Sequence, residues 1–362
     1  AAEFFADLGV ALHEEEHGKL FPDTNRSRTV LDALLNELSR LGVDLSSGER
    51  VTSVDREAEG FVVAASSGRY RARVVVLATG GRSLPKSGSD GTGYELAARL
   101  GHGYVDTTPA LAPLVLAGDR HVALSGIAHD VRLTVRVADT AGTHLDGALL
   151  WTHFGASGPV VLNASRHWHR ARREGRSVDV SVNLCPGDTF ESLEAWFQAQ
   201  ALVRPKAYVA TALATRLPAA VAATWTRQSG LADQTLAHLS RESRRRLIHS
   251  LLASSLDVRD SRGYTVAEAT AGGIPLEEID PARMASRCCD GLYLVGEMLD
   301  VDGRLGGFNF QWAWSSAWVA GGAIARALSG HVAAAAPAAA RNSAPDTVTA
   351  SARDSATTAS AE

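Results

Sequence analysis

The stretch from Gly291 to Gly322, GLYLVGEMLDVDGRLGGFNFQWAWSSAWVAGG, constrains the fold of this chain more than any other. Residues 292–295 form a short apolar run that is typical of a buried strand, and the strand ends at residues 296–297. An acidic loop follows, and a second glycine pair at 306–307 precedes a Trp-rich run with regularly placed small residues. This pattern predicts a strand, a glycine-rich turn and a helix that is closely packed on most sides.

An anionic ligand is favoured where a strand leads through a glycine-rich turn into the first turn of a helix. Free N–H groups and the positive end of the helix dipole meet there. Glycines let a ligand approach the backbone closely. The carboxylate of Glu297 can accept hydrogen bonds from sugar-like hydroxyls. These features suit a flavin dinucleotide, with Glu297 on the ribityl chain and the helix start near Asn309 facing the pyrophosphate or the N1–O2 edge of the flavin. A purely structural corner fits the spacing equally well.

Composition narrows the class of protein. The chain has 362 residues, of which 45% are hydrophobic and 21% charged, so it is long enough for two or three domains with ordinary cores. The net charge of −4 gives no reason to expect a nucleic acid or an acidic membrane surface. Cys185, Cys288 and Cys289 form no C-x-x-C motif, which indicates a reducing cytoplasm without a disulfide framework. No apolar run is long enough to span a bilayer.

Several blocks of the sequence resemble the HI0933-like (YhiN/BaiN-like) FAD-dependent oxidoreductases, and they occur in the same order. Besides the closing motif, they are EEEHGKLFPDTNRSRTVLDALL, VVVLATGGRSLPKSGSDGTGYELAARLGH, DGALLWTHFGASGPVVLNAS and TVAEATAGGIPLEEIDPARM. The resemblance runs from about Glu14 to about Leu328. It implies FAD as the cofactor and an oxidoreductase acting on a small organic substrate, with NAD(P)H as one candidate electron donor.

The resemblance also implies which residues approach FAD. Val51 would touch the adenine through its backbone, and the loop at 79–81 would pass beside the cofactor. The whole implied set is Val51, Thr79, Gly80, Gly81, Gly272, Gly273, Gly296, Glu297, Asp302, Gly306, Gly307, Phe308, Asn309 and Gln311. One block departs from the family pattern S-Y-P-x-T-G-S-T-G-D-G-Y. Leu84 replaces its Tyr, and Asp90 and Thr92 exchange the acidic and hydroxyl positions.

No catalytic acid or base is predicted. Thr152, His153 and Asn309 are the candidates for polar groups near the flavin ring. GASGP is not a G-x-S-x-G nucleophile elbow, so the sequence does not support hydrolase chemistry. The spacing of His153, His167 and His169 matches no standard zinc pattern, and the sequence predicts no metal site.

The predicted fold is α/β: a Rossmann-like FAD domain that lacks its first βαβ unit, with an inserted β-barrel-like and helical domain. Residues 1–105 and 275–330 would form the FAD domain. Residues 106–274 would form the insertion, β-rich at about 106–185 and 256–274 and helical at about 186–255. Residues 331–362, almost all Ala, Ser, Thr and Pro, are predicted to be a disordered tail.

An alternative interpretation is a truncated, non-catalytic fragment with weak or no FAD binding. No G-x-G-x-x-G fingerprint precedes Glu14, and the first residue is Ala1 rather than Met. A dehydrogenase that uses NAD alone is a weaker alternative, because its fingerprint is missing too. A small-molecule substrate, no nucleic acid and no membrane are expected, and the sequence leaves the oligomeric state open.

Overall fold

The computed structural model describes residues 1–15, 18–138 and 140–334. Residues 1–323 form one compact unit, and the described part of the chain beyond it continues the last helix. The helices of the described residues are α1 (Ala2–Asp7), α2 (Ser27–Arg40), α3 (Thr92–Arg99), α4 (Pro159–Arg173), α5 (Phe190–Val203), α6 (Val209–Leu213), α7 (Ala219–Gln228), α8 (Arg241–Leu252) and α9 (Phe308–Ala334).

The described strands are mostly short and alternate with helices in an α/β arrangement. They are β1 (Leu12–Glu15), β2 (Lys19–Pro22), β3 (Val51–Glu57), β4 (Gly60–Ala65), β5 (Gly68–Ala72), β6 (Val75–Leu77), β7 (Val105–Ala110), β8 (Leu114–Leu116), β9 (Ala128–Val137), β10 (Thr143–Thr152), β11 (Gly155–Ser157), β12 (Val178–Asn183), β13 (Ser254–Leu256), β14 (Val258–Ser261), β15 (Ala269–Gly273), β16 (Ile279–Asp280), β17 (Ala285–Ser286) and β18 (Leu292–Leu294).

The largest sheet is antiparallel and lies wholly within residues 106–274, which we call the central region. Its strand order is β13-β12-β9-β10-β11-β8-β14. Strand β9 shows why these residues form a sheet: Val131, Leu133 and Val135 are buried and alternate with more exposed residues, as a half-buried strand requires. Strand β9 pairs with β12 in antiparallel fashion.

The predicted β-barrel-like insertion is not confirmed as a barrel, because no closed barrel is found among the described residues. The two edge strands of the sheet, β13 and β14, are separated in the chain only by Asp257, so the sheet curls back on itself. Within the described residues, however, no ladder joins β13 to β14, because β13 pairs with β12 and β14 pairs with β8. The central region is therefore an open, curled antiparallel sheet.

Helix α4 packs into the core of this sheet. It begins with Pro159 after Gly158, whose φ of 91° suits glycine, and Pro is favourable at a first helical position because it has no N–H to leave unsatisfied. Val161 and Trp168 of α4 join the core of the sheet. Residues of α5–α8, such as Phe197 and Trp225, extend the same core.

The terminal segments, residues 1–105 and 275–323, carry the sheet that positions the site. Its strand order is β16-β17-β18-β6, and β18 pairs with β6 in parallel. Because parallel strands end at the same sheet edge, the loops after Leu77 and after Leu294 emerge side by side. Strand β15 of the central region pairs with β7 in a separate two-stranded sheet.

Helix α9 differs from the sequence prediction of a helix enclosed on most sides. Ser316, Ala320 and Ala323 are its buried residues among those described, and the Trp318 side chain is 72% exposed. These small residues form a narrow buried stripe, the Trp312 indole on the same face bonds to Gly296, and Phe310 and Trp318 are exposed. The helix extends to Ala334, so its last turn overlaps the start of the predicted tail; residues 335–362 lie outside the described residues.

Candidate functional site

Three segments meet around Thr270 in β15. The Thr270 Oγ1 atom accepts hydrogen bonds from the backbone N–H groups of Arg82 (2.8 Å) and Ser83 (3.1 Å), in the loop that follows β6. The Thr270 N–H in turn donates to Oε1 of Glu297, which follows β18, at 2.6 Å. These bonds join the loop after β6, the strand β15 and the loop after β18 into one polar centre.

Gly81 is placed at the narrowest point of this centre. A Cβ at Gly81 would lie 2.4 Å from Thr270 Oγ1 and 3.0 Å from Glu297 Oε1. A side chain there would displace Thr270 and disturb the carboxylate. The structure therefore brings together Gly81 and Glu297, which the sequence predicted to approach the cofactor, and the reason for the glycine is this close packing.

Glu297 has one carboxylate oxygen bound by the protein and the other without a hydrogen-bond partner among the described residues. Burial raises the pKa of this carboxyl, and hydrogen bonds from Thr270 lower it again in part. Burial also raises the pKa of Asp300, three residues further along. A half-buried carboxylate with a free oxygen is suited to accept hydrogen bonds from ligand hydroxyls.

Thr79 and Gly80 lie in the same loop as Gly81. A Cβ at Gly93, in the first turn of α3, would lie only 1.8 Å from Thr79 Oγ1, and the Thr79 hydroxyl also faces the sulfur of Met298 at 3.9 Å. A Cβ at Gly80 would lie 2.8 Å from Ser89 Oγ. These contacts fix the loop between α3 and the turn after β18.

Gly272 and Gly273 are required by the backbone around them. Their φ angles are 87° and 140°, and a Cβ at either would lie 2.6 Å from a carbonyl oxygen, that of Asp106 or of Met298. Gly296, with φ 74°, donates its N–H to Ser316 and accepts a hydrogen bond from the Trp312 indole. These predicted cofactor residues thus have a packing role of their own.

The start of α9 is organised by its own loop. Asn309 accepts a hydrogen bond from the Gly303 N–H (2.7 Å) and donates to the Gly303 carbonyl (3.3 Å), so its amide is held by the chain itself. Asp302 accepts a hydrogen bond from Arg166 of α4 at 2.8 Å. At Gly307 a Cβ would meet nothing within 4 Å, and its φ of 84° favours glycine.

Four other predicted residues occupy different surroundings. Gln311 donates to Ser315 one turn further along α9, and the ring of Phe308 lies under the guanidinium of Arg304. Gly306 has a φ of 130°. Val51 is the first residue of β3 and pairs with Ala65.

Thr152 and His153 lie at the end of β10 and in the tight turn before β11. The hydrogen bonds and ring contacts described for them stay within that hairpin: Thr152 pairs with Gly155, and His153 contacts the ring of Phe154. The Thr152 hydroxyl is buried with no hydrogen-bond partner among the described residues. No described bond connects these two candidates to Glu297 or Asn309.

Sequence reasoning missed a group of polar residues beside the centre. Arg82 follows Gly81 directly, and its guanidinium lies 5.8 Å from the ring centre of Tyr94 in α3. Burial first, and then the charge of Glu297, raise the pKa of Tyr94. Tyr264 donates to Thr107 at 2.9 Å nearby. The only signal in the sequence was an arginine directly after a glycine pair at the end of an apolar strand.

Two buried polar atoms of this group, Arg82 Nε and Tyr94 OH, have no hydrogen-bond partner among the described residues, and neither has Thr108 Oγ1 in β7, opposite Ala271. Buried polar groups in folded proteins are nearly always hydrogen-bonded, so unpaired donors here point to a ligand or ordered water. A ligand that offers phosphate, hydroxyl or ring carbonyl oxygens would satisfy them. The donor set, together with the free oxygen of Glu297, therefore fits a flavin dinucleotide.

A comparison with known protein families identifies the family of this chain. The model of the HI0933-like protein Rossmann domain matches residues 1–323. The chain belongs to the HI0933-like family. This confirms the resemblance seen in the sequence, and it places the chain among FAD-dependent oxidoreductases, with FAD as the cofactor of the family.

Curated members of the HI0933-like family include enzymes with different names. The chain is 32% identical to a 3-dehydro-bile acid delta(4,6)-reductase of Clostridium scindens, over 89% of this chain and 79% of the relative. It is 32% identical to a ribosomal RNA dihydrouridine synthase of Haemophilus influenzae, over 89% of this chain and 78% of the relative. It is 33% identical to a protein of the same name in Escherichia coli, over 87% and 77%. Among the described residues, no helix is both long and apolar enough to cross a membrane.

Proposed function

We propose that this chain is an FAD-dependent reductase that saturates a carbon–carbon double bond conjugated with a carbonyl group in a small organic molecule, with NAD(P)H as the electron donor. The observation that carries the proposal is the polar centre at Thr270. It joins Glu297 to the loop after β6, and two unpaired buried polar atoms, Arg82 Nε and Tyr94 OH, lie beside it.

The residues of this centre have distinct roles in the proposal. Glu297 accepts hydrogen bonds from ribityl hydroxyls, and Gly81 allows the cofactor and Thr270 to share a narrow space. Arg82 and Tyr94 donate to anionic or carbonyl oxygens. When bound, FAD supplies the hydride chemistry, while the protein supplies position and electrostatics.

The names of the relatives support the type of bond. A delta(4,6)-reductase of a 3-dehydro bile acid acts on double bonds conjugated with a ketone, and a dihydrouridine synthase saturates a ring double bond conjugated with a carbonyl. A conjugated carbonyl makes the far carbon of such a double bond electron-poor and therefore a site for hydride addition. A hydrogen-bond donor near the carbonyl oxygen would stabilise the negative charge that develops there.

The charge of the chain favours a small molecule rather than RNA as the substrate. The net charge is −4, and arginines of α4 that could face phosphates are engaged by the chain itself. Arg166 donates to Asp302, Arg173 donates to Asp106, and the guanidinium of Arg172 lies over the ring of Trp168. Nucleic-acid binding relies on arginines and lysines that are free to neutralise phosphates.

The alternative of a non-catalytic fragment is not favoured, since the curated relatives are enzymes by name and align with most of this chain. The flavin proposal can be tested apart from the substrate. We expect the purified chain, loaded with FAD and desalted, to retain a protein-shifted flavin absorption spectrum. Glu297→Gln should weaken FAD retention about tenfold or more, through the lost charge-assisted hydrogen bonds. Glu277→Gln, at an exposed position, is the matched control.

If wild type and both variants lost the flavin equally on desalting, this centre would not be the flavin site. If Glu277→Gln weakened retention as much as Glu297→Gln, the effect would be one of general charge.

The substrate proposal needs a second experiment. Under anaerobic conditions, the FAD-loaded protein should reoxidise from its NADH- or NADPH-reduced form when a conjugated steroid ketone is added. A saturated steroid ketone is the control and should leave the flavin reduced. Reoxidation by a uridine-containing ribosomal RNA fragment, but not by any conjugated ketone, would contradict the small-molecule proposal while leaving the flavin chemistry intact. His153→Ala with unchanged reoxidation would remove that residue as a candidate.

A further inference from the structure

Three side chains with metal-binding atoms meet at a place that the proposed reaction does not use. His102 lies in the link between α3 and β7, Glu278 precedes β16, and Cys288 follows β17. One ligand atom from each, a histidine ring nitrogen, a carboxylate oxygen and the cysteine sulfur, lies within 4.8 Å of the other two. These residues are far apart in the sequence, so spacing could not predict the group.

The imidazole and the carboxylate are held firmly in place. His102 is 4% exposed, and its Nδ1 lies 2.7 Å from Glu278 Oε2. The Gly103 N–H donates to both oxygens of Glu278 at 3.2 Å. The Nε2 atom of His102 lies 2.7 Å from Ser286 Oγ. The ring nitrogen that faces Glu278 is therefore Nδ1, and the other nitrogen is anchored on a hydroxyl.

Ser286 also fixes the loop that presents the thiol. Its Oγ accepts hydrogen bonds from the backbone N–H groups of Cys288 (3.0 Å) and Cys289 (2.9 Å). One serine thus orients the imidazole on one side and the cysteine loop on the other. Supporting hydrogen bonds of this kind orient the ligands in metal sites.

We propose that His102, Glu278 and Cys288 bind a zinc ion, with water in the fourth position. Nitrogen, carboxylate and thiolate ligands together suit Zn²⁺, whereas Mg²⁺ and Ca²⁺ prefer oxygen ligands only. Cys288 is exposed, which leaves a path for the ion to enter. Cys289 is its neighbour but lies outside the group of three.

Binding changes the protonation of the site in a balanced way. The Cys288 thiol loses its proton to solvent and binds as thiolate. The single proton of the neutral imidazole is held at Nε2, so that the Nδ1 lone pair binds the ion. The Nε2–H group then donates to Ser286 Oγ, and because a hydroxyl oxygen has only two lone pairs, one of the backbone hydrogen bonds from Cys288 or Cys289 must weaken as the ion binds. The distance between Nδ1 and Glu278 Oε2 must increase slightly, since each zinc bond to N or O is about 2.0–2.2 Å long.

The zinc ion would connect two parts of the terminal segments. It would tie the hairpin of β16 and β17 to the corner between α3 and β7. Strand β18, which follows Cys288, pairs with β6 and leads to Glu297. An ion that binds the folded chain and not the unfolded one stabilises the fold.

The test uses the FAD-loaded protein after removal of metals with a chelator. We expect one zinc ion per chain by elemental analysis after zinc is added back and the excess removed. Added Co²⁺ should give a thiolate-to-cobalt charge-transfer band in the difference spectrum. Cys288→Ser should abolish that band and weaken zinc binding about tenfold or more, because a neutral hydroxyl replaces a thiolate. Cys289→Ser is the matched control and should keep the band and bind within about twofold of wild type.

Glu278→Gln provides a second variant, and circular dichroism checks that each variant is folded. It should keep the cobalt–thiolate band but bind zinc about tenfold more weakly. A wild-type chain that binds no stoichiometric zinc would overturn the proposal. So would Cys288→Ser binding zinc as well as wild type, which would mean adventitious binding only. If Cys288→Ser and Cys289→Ser lost zinc affinity equally, the proposal would also be overturned, because both cysteines would then be ligands.

Discussion

The central region and the terminal segments bury their residues very differently. The large hydrophobic core cluster is drawn from Leu114 to Leu256, within the central region. In the terminal segments, helix α2 has no buried residue, and Val76 of β6 and Trp318 of α9 are 43% and 72% exposed. Among the described residues, the part of the chain that carries most of the residues predicted to approach FAD is thus the part outside this large core cluster.

This contrast indicates where stability and ligand binding are located. A continuous core makes the central region the most resistant to unfolding, since burial of apolar surface is the main stabilising contribution. The site at Thr270 and Glu297 lies where loops from the terminal segments meet β15. Regions that bind ligands are drawn from the less stable parts of a protein, and bound ligand then adds stability to them.

The largest expected difference is between two leucine substitutions. Leu133→Ala removes a side chain that is 0% exposed in β9, and we expect it to lower the free energy of unfolding by about 2–5 kcal/mol. Leu31→Ala in α2, where the side chain is 47% exposed, should lower the free energy of unfolding by less than about 1 kcal/mol. Chemical denaturation measures both. Equal losses would abolish the contrast between the two regions.

Acid should weaken the central region through His169. Burial lowers the pKa of His169 to about 4, and its Nε2 lies 2.7 Å from Ser261 Oγ. The unfolded chain binds a proton near pH 6.5 and the folded chain only near pH 4, so stability falls as the pH decreases between these values. The free energy of unfolding falls by at most about 3 kcal/mol over this pH range.

His169→Gln should make thermal stability less dependent on pH in that window. His238→Gln, at an exposed position, is the control. An unchanged pH dependence in His169→Gln would show that other groups, such as His129 and His167, whose pKa values burial also lowers, carry the effect.

Adding FAD should stabilise the loops of the terminal segments and strand β15, which form the site, more than the large sheet of the central region. At a free FAD concentration of 100 times Kd, the free energy of unfolding should rise by about 2.7 kcal/mol. Hydrogen exchange should slow at residues 79–83, 270–273 and 295–309, and change little in β9 and β12. Protection confined to β9 and β12 would place the flavin elsewhere.

The smallest effect is expected at the narrow point of the site. Gly81→Ala places a Cβ 2.4 Å from Thr270 Oγ1, so Thr270 must shift and FAD should bind about tenfold more weakly, or about 1.4 kcal/mol. Gly68→Ala, where a Cβ meets nothing within 4 Å, should leave FAD binding unchanged. Fluorescence titration of FAD distinguishes the two, and tight binding by Gly81→Ala would show that the space at this glycine is not critical.

Sequence reasoning worked best where local pattern and residue type agree. The strand at Leu292–Leu294 and the family itself followed from the short apolar run, the glycine positions and the order of the motifs. It did not predict that the curled sheet stays open, because closure depends on whether the edge strands β13 and β14 pair with each other. It also overestimated the burial of α9, because an apolar composition does not say which face of a helix is covered.

What the sequence by itself determined is the order of the elements, the α/β class and the glycine-rich loops, since these rest on spacing along the chain. Only the tertiary structure decided that Arg82 and Tyr94 lie near Glu297 with unpaired polar atoms, and that His102, Glu278 and Cys288 converge. The physical reason is that parallel pairing of β6 with β18 and the packing of α3 join segments that lie far apart in the chain. Distances of this kind are fixed by packing and leave no periodic signal in the sequence.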